Sequence, residues 1–432
     1  MAFQFVETSS LKLDGYAGIA PQEQLERIQS LGLSLDGARV VHLNSTAVGG
    51  GVAEILKSMV PLMDDSGPDA SWMVLEGAPE FFEITKRLHN LLQGAEGSLS
   101  KEEYDTYVGY NERLAKSIKD KGVEADVWVL HDPQTLPLAS FLPEGSKIIW
   151  VCHIHLTLPN RQVIDQLSPL MKKADRVVFS LPQYVVDGLD TGRVRIIPPA
   201  IDPLTTKNLD PKPKAVRDTL TRIGIDPDRP LMSQVARFDR WKDPWGVIDA
   251  YRMVKESVPD VQLAMLGVIE AIDDPEAFDV LDTVVEYAKG DSDINLYSDV
   301  KIVAQAEVGA VQKGAKVVMQ KSLREGFGLT VTEAMWKGTP VIGGNCGGIR
   351  IQIEHGKTGY LVDTVEECAT ATLEILNNPE QAKAMGELGR KNVQQKFLIT
   401  RILGDYLSVC SELLAPSSLP DLGLAYAEAA GD

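Results

Sequence analysis

The sequence predicts an α/β fold of two doubly wound, Rossmann-like domains facing one cleft. Three observations carry that prediction. β-rich runs alternate with amphipathic helical stretches from Ala38 onward, the alternation stops in a proline-rich stretch from Pro198 to Pro230, and it then restarts. The chain has 432 residues, too many for one core when domains usually hold roughly 100–200.

In the first half the strand-like run Arg39–Leu43 leads through Asn44–Gly51 into a helical stretch, where Val52, Ile55, Leu56, Met59, Val60 and Met63 recur with helical period. Further apolar runs follow at Ser71–Leu75, Asp126–Leu130, Lys147–Val151, Arg176–Phe179 and Val194–Ile197, most of them separated by helical segments. Near-continuous apolar runs suit parallel strands covered on both faces by crossover helices. The stretch Pro198–Pro230, with seven prolines mixed with charge, reads as the linker and its surroundings. Beyond it come strands at Leu231–Ala236 and Val261–Leu266 around a helix at Trp245–Ser257. Strands at Lys316–Met319 and Pro340–Ile342 bracket a helix from Gly328 to Lys337. A last helical stripe carries Ile402, Leu403, Tyr406, Leu407, Val409, Cys410, Leu413 and Leu414. The expected division is residues 1–205, joined by the C-terminal helix at about 400–432, and residues 215–400.

A formal charge of -18 with no basic run argues against nucleic acid or anionic membrane as a partner, since both select Lys/Arg patches. Cys152, Cys346, Cys368 and Cys410 stand far apart without a CxxC pair, as free thiols in a reducing compartment do. With no apolar leader in Met1–Pro21 and no run of the ~20 apolar residues a membrane span needs, a cytoplasmic protein is expected.

Four segments hold candidate chemistry. In Asn44–Gly51, the glycines Gly49, Gly50 and Gly51 sit between a strand and a helix start, where backbone N–H groups can approach a phosphate or sugar; a plain tight turn is the alternative. Neither a dinucleotide GxGxxG nor a Walker GK[ST] follows. Arg237 and Lys242 lie five apart directly after the first strand of the second half and could grip a diphosphate, or belong to a solvated loop. The segment from Arg324 to Trp336 ends a strand, turns on glycine and starts a helix near Gly328. Backbone N–H groups of Gly328, Leu329 and Thr330 would there face a phosphate, Glu325 sugar hydroxyls and Glu333 ribose hydroxyls. In the first half, His131-Asp132-Pro-Gln134 and Cys152-His153-Ile-His155 end two strands. His153 and His155 at i, i+2 raise the question of a metal, but no carboxylate or thiolate set completes one. Asn44, Asp132, Gln134 and His155 suit recognition of hydroxyls on an acceptor.

Together these segments resemble the retaining nucleotide-sugar glycosyltransferases of the two-Rossmann-domain type, glycosyltransferase family four. Arg237 with Lys242, and the E-x7-E pair Glu325/Glu333 with Gly326 and Phe327 between them, stand where that family holds its donor. HLNSTAVGGGVAEIL, LHDPQTLPL, CHIHLTLPN, PPAIDPL, ARFDRWKD and SLREGFGLTVTEAMWKGTPVIG resemble more narrowly the trehalose-synthesising members, from about Arg39 to about Cys410. The resemblance implies transfer of glucose from a nucleoside diphosphate glucose to a small acceptor, free glucose first, giving α,α-trehalose with no cofactor and no metal. Fungal trehalose phosphorylases share much of the pattern, so glucose 1-phosphate chemistry is the neighbouring reading, with another small polyol acceptor beside it. It further implies that His153 contacts the donor sugar near its 6-hydroxyl and that Arg237, Lys242 and Glu325 act on the reacting groups. His155 stands where those enzymes usually have Asp, and Asn345-Cys346 where small apolar residues precede GGI. The partners implied are small sugars, with room for a homodimer.

Overall fold

A computed structural model describes residues 2–48, 50–267, 275–299, 302 and 304–414. The chain divides into two compact units, one formed by Met1–Pro199 with Ile399–Asp432 and the other by Ala200–Leu398. Each has its own sheet.

The sheet of unit 1 contains β1 (Phe3–Phe5), β2 (Arg39–Asn44), β3 (Asp69–Leu75), β4 (Val127–His131), β5 (Lys147–Cys152), β6 (Arg176–Phe179) and β7 (Val194–Ile196) in the order β1-β3-β2-β4-β5-β6-β7. Only β1 runs antiparallel, against β3, with Phe3 opposite Leu75. β2, β4 and β5 are buried almost throughout, which is why they read as unbroken apolar runs. Strand order reverses between β2 and β4, so the loops after these two strands flank a crevice at the strands' carboxyl ends, where such sheets bind ligands. The helix Ile399–Leu414 belongs to this unit and is fixed at three points. Arg401 donates to the carbonyls of Pro198 and Pro199, Asp405 pairs with Arg27 at 3.0 Å, and Glu412 pairs with Arg195 at 2.6 Å.

Unit 2 carries β8 (Leu231–Val235), β9 (Gln262–Leu266), β10 (Ile294–Tyr297), β11 (Val317–Gln320), β12 (Val341–Gly344) and β13 (Tyr360–Val362), all parallel, in the order β10-β9-β8-β11-β12-β13. This is the dinucleotide-fold order 3-2-1-4-5-6, with its switch point between β8 and β11. One face packs on helices Pro244–Ser257 and Val365–Asn377 through Val247, Tyr251, Val254, Cys368 and Ile375. The proline-rich stretch is not a plain linker. Pro213 opens the helix Pro213–Arg222, because proline's missing N–H and fixed φ cost nothing at a first helical position.

Candidate active site

The switch point of unit 2 gathers the residues singled out after β8 and β11. Lys242 closes a short 3-10 turn, Arg240–Lys242, started by the Asp239 side chain accepting from the Trp241 N–H. Its ammonium meets Glu325 Oε2 at 2.5 Å, and both side chains are largely enclosed, 18% and 10% exposed. Gln320 and Ser322 also donate to Glu325 Oε2, at 3.3 and 3.2 Å. The carboxylate is therefore held in one orientation before any ligand arrives. Arg237 stays exposed on the same loop, with Asp239 at 3.8 Å.

Directly behind Glu325, Gly328 caps the helix Leu329–Trp336 in the left-handed region at φ 86°. The dihedral favours glycine, and a Cβ there would stand a tight 3.1 Å from Glu325 Cγ and 3.3 Å from Ile349 Cγ1. Gly326 accepts from the Gly348 N–H, and the Phe327 carbonyl accepts from Gln352 at 2.6 Å, which sets the turn against the Gly347-Gly348 loop. Phe327 is buried and packs on Phe397. Leu329 stands half-buried in the first turn of the helix, whose leading N–H groups are an anion site by geometry and dipole. The Thr330 hydroxyl donates to the Val235 carbonyl at 3.0 Å, tying the helix to the end of β8.

Glu333, expected at ribose hydroxyls, is enclosed in this structure. It is 3% exposed, with Oε1 2.7 Å from Lys207 Nζ and Oε2 accepting from Gln312 at 3.0 Å. The cause is packing: residues Val331–Trp336 are buried all round the helix, so an acid there must be paired. Burial alone would raise its pKa, but Lys207 and Lys337 hold it below the ordinary value. Burial conversely lowers Lys337 to about 8, against the pull of Glu333. A further cation, Lys321, is enclosed beside the site and paired at 2.5 Å with Asp243, itself left-handed at φ 50°. Lys207, Gln312 and Lys321 were not found from sequence, because each lies far along the chain from the group it meets; Gln320, five residues before Glu325, was missed because it closes a buried strand and reads as part of it.

In unit 1, Gly50 has φ 78° and starts helix Gly50–Ser66, and both Gly50 and Gly51 are exposed at its head; Gly49 lies outside the described residues. Asn44 is corrected from an acceptor contact to a loop anchor. It is buried, accepts from Trp72 Nε1 at 2.8 Å and donates to the Thr46 carbonyl at 2.7 Å. Asp132 opens a one-turn helix at φ 61°, and its Oδ1 accepts the His153 N–H at 2.8 Å. It therefore positions His153 whatever else it binds. Gln134 has a buried Oε1 with no hydrogen-bond partner among the described residues, an acceptor in search of a donor. His153 and His155 do not converge. His153 stacks on His131, while His155 packs edge-on to Tyr184 at 5.1 Å and meets Thr157 Oγ1 at 2.9 Å.

Comparison with known proteins agrees with this geometry. Residues 217–392 match the glycosyl transferases group 1 family, so unit 2 is the catalytic fold of a glycosyltransferase. Among solved structures, the α,α-trehalose 6-phosphate synthase of Burkholderia multivorans superposes with a TM-score of 0.69 at 16% identity, over 88% of this chain and 100% of that one, which shows the GT-B fold. Residues 42–186 match the trehalose synthase N-terminal domain. The trehalose synthase of Rubrobacter xylanophilus is 44% identical over 95% of this chain and 99% of its own length; that of Pyrococcus horikoshii is 42% identical over 96% and 100%. The chain belongs to the trehalose synthase family of glycosyltransferases. A trehalose phosphorylase of Grifola frondosa is similar at a greater distance, 27% identical over 83% of this chain and 55% of that protein.

Proposed function

We propose that the protein transfers glucose, with retention and without a metal, from a nucleoside diphosphate glucose to free glucose, forming α,α-trehalose. The observation that carries this reading is the convergence at the unit 2 switch point of Lys242, Glu325 and the first turn of helix Leu329–Trp336. A diphosphate laid on that turn would have the helix N–H groups on one side and Lys242 and Arg237 on another. That arrangement stabilises charge growing on a leaving diphosphate. Glu325, already oriented, would accept from hydroxyls of the transferred sugar. The acceptor's 1-hydroxyl attacks the anomeric carbon as the bond from that carbon to the phosphate oxygen breaks. Its proton passes to the departing diphosphate, so no separate base is needed.

On this reading Glu333 receives ribose hydroxyls only by giving up part of its contact with Lys207. Gln134, with its orphaned Oε1, and His155 would take hydroxyls of the small acceptor in unit 1. A cytoplasmic location fits soluble substrates of this kind. Calorimetric titration tests the donor: micromolar binding of a nucleoside diphosphate supports it. Binding of glucose 1-phosphate with inorganic phosphate, and none of any nucleoside diphosphate, would move the assignment to a phosphorylase.

A further inference from the structure

Three histidines of unit 1 form a continuous stack that the transfer reaction as described does not use. His42 lies inside β2, His131 ends β4, and His153 follows β5. His42 Nδ1 is 3.1 Å from His131 Nε2, and His131 Nδ1 is 3.0 Å from His153 Nε2. The rings lie nearly parallel, with centroids 5.4 and 5.3 Å apart. Burial lowers His42 to about 3; it also lowers His131, helped by its two neighbours, and lowers His153 against the opposing charge of Asp132. All three rings are therefore neutral near pH 7, each with a single ring proton.

Proton counting then couples them. Each of the two N···N contacts needs one proton, neither none nor two. If His131 donates from Nδ1, His153 must be bare at Nε2 and protonated at Nδ1, while His42 must donate from its own Nδ1. If His131 donates from Nε2, the pattern reverses and all three rings carry the proton on Nε2. The stack thus permits two states only, all Nδ1–H or all Nε2–H.

The far end decides between them. His42 Nε2 is buried with no hydrogen-bond partner among the described residues, only the ring of Tyr406 at 6.0 Å between centroids. In the Nε2–H state that atom would be a buried, unpaired N–H; in the Nδ1–H state it is an unused lone pair. Unpaired buried N–H groups are the rarer and costlier of the two. We infer that His42 and His131 are positioning residues that lock His153 in the Nδ1–H form, so that its remaining ring nitrogen offers a hydrogen-bond donor to a sugar oxygen. A free histidine side chain prefers the opposite tautomer, so the stack imposes a choice that solvent would not make. The functional half of the inference rests on the sugar contact that the family resemblance implies for His153, but its structural half is tested without substrate.

The chain has six histidines, few enough to assign by single substitution. Two-bond ¹⁵N–¹H correlation on the ¹⁵N-histidine-labelled, ligand-free full chain reads each tautomer directly. The expected result is Nδ1–H for His42, His131 and His153 together; Nε2–H in any of the three overturns the inference. His131→Leu should release His153 to the Nε2–H form and lower kcat/KM for sugar transfer at least tenfold. His131→Asn, whose amide nitrogen stands where ring Nδ1 stood, should restore the Nδ1–H form at His153 and most of that loss. Wild-type tautomers as expected, with kcat/KM unchanged in His131→Leu, would refute the sugar contact of His153 and leave the locked stack standing.

Discussion

Lys242→Met keeps the aliphatic stem of this side chain and removes its charge, and two effects should follow. The first is on stability. Glu325, 10% exposed, loses a cation at 2.5 Å and keeps the neutral donors Gln320 and Ser322. Breaking a fully buried pair from one side costs about 3–5 kcal/mol. With the partially open geometry and two neutral donors remaining, about 2 kcal/mol is expected, or roughly 4–8 °C in the melting temperature of a domain this size. The second effect is on catalysis. If Lys242 stabilises the leaving diphosphate, its loss should lower kcat by about 10²–10³, the effect of removing one preorganised donor. The double variant Lys242→Met/Glu325→Gln, compared with Glu325→Gln alone, separates the two roles, because the amide needs no counter-charge and the altered sugar contact is common to both. Melting temperature should largely recover while kcat stays depressed about 100-fold or more relative to Glu325→Gln. Steady-state kinetics with a nucleoside diphosphate glucose, beside scanning calorimetry, gives both readouts. A double variant with the kcat of Glu325→Gln alone would refute the diphosphate role and leave Lys242 as the counter-ion of Glu325.

Glu333→Ala should destabilise unit 2 by about 3–5 kcal/mol, since it strands Lys207 and Lys337 together; Glu333→Gln, which keeps the Gln312 contact by flipping its amide, should lose less and show weaker nucleoside diphosphate binding in calorimetry. Lys337 is held at about 8 in the fold against 10.5 when unfolded, so between these values the unfolded chain binds the extra proton and stability contributed by this group rises with pH. Comparing wild type with Lys337→Met in urea melts at pH 7 and pH 10 should therefore show the wild type gaining relative to the variant, and a constant difference would count against the buried charge. Gly328→Ala forces a Cβ into the left-handed region against Glu325, at a cost of about 1–2 kcal/mol, and should lower kcat as well as melting temperature. Activity should survive EDTA, because Arg237 and Lys242 stand where a metal-dependent transferase carries an Asp-x-Asp pair; loss restored by added Mg²⁺ or Mn²⁺ would refute that assignment.

Most strands read from sequence are those that the fold buries on both faces, with the edge strand β7 read as well. β4, β5 and β11 appear as apolar runs because crossover helices cover them. β1 and β13 are three residues each, and every residue of β10 is half-exposed, so these edge strands carry no such run. The helix Pro213–Arg222 was hidden by prolines, which read as a break although one of them begins the helix. At the site, the turn around Gly328 was legible because its glycine and helix start are local. The pairing of Lys242 with Glu325 was not, since 83 residues separate them and only the adjacency of β8 and β11 brings them together. The enclosure of Glu333 was hidden for a related reason: Lys207, which pairs with it, lies far away in sequence, and burial on every side of the helix is set by the packing of the unit. The histidine stack was equally hidden, because rings in β2, at the end of β4 and just after β5 align only once the order β2-β4-β5 is known.

The identity of the product tests the central claim most directly. Incubating the protein with a nucleoside diphosphate glucose (UDP, ADP and GDP forms in turn) and ¹³C-labelled free glucose, then reading the anomeric signals by NMR, reports donor, acceptor and stereochemistry together. The account predicts a disaccharide with both anomeric carbons in the α configuration, one labelled and one not, formed in step with nucleoside diphosphate release. A β-linked product, or labelled disaccharide formed only from glucose 1-phosphate with release of inorganic phosphate, would contradict it.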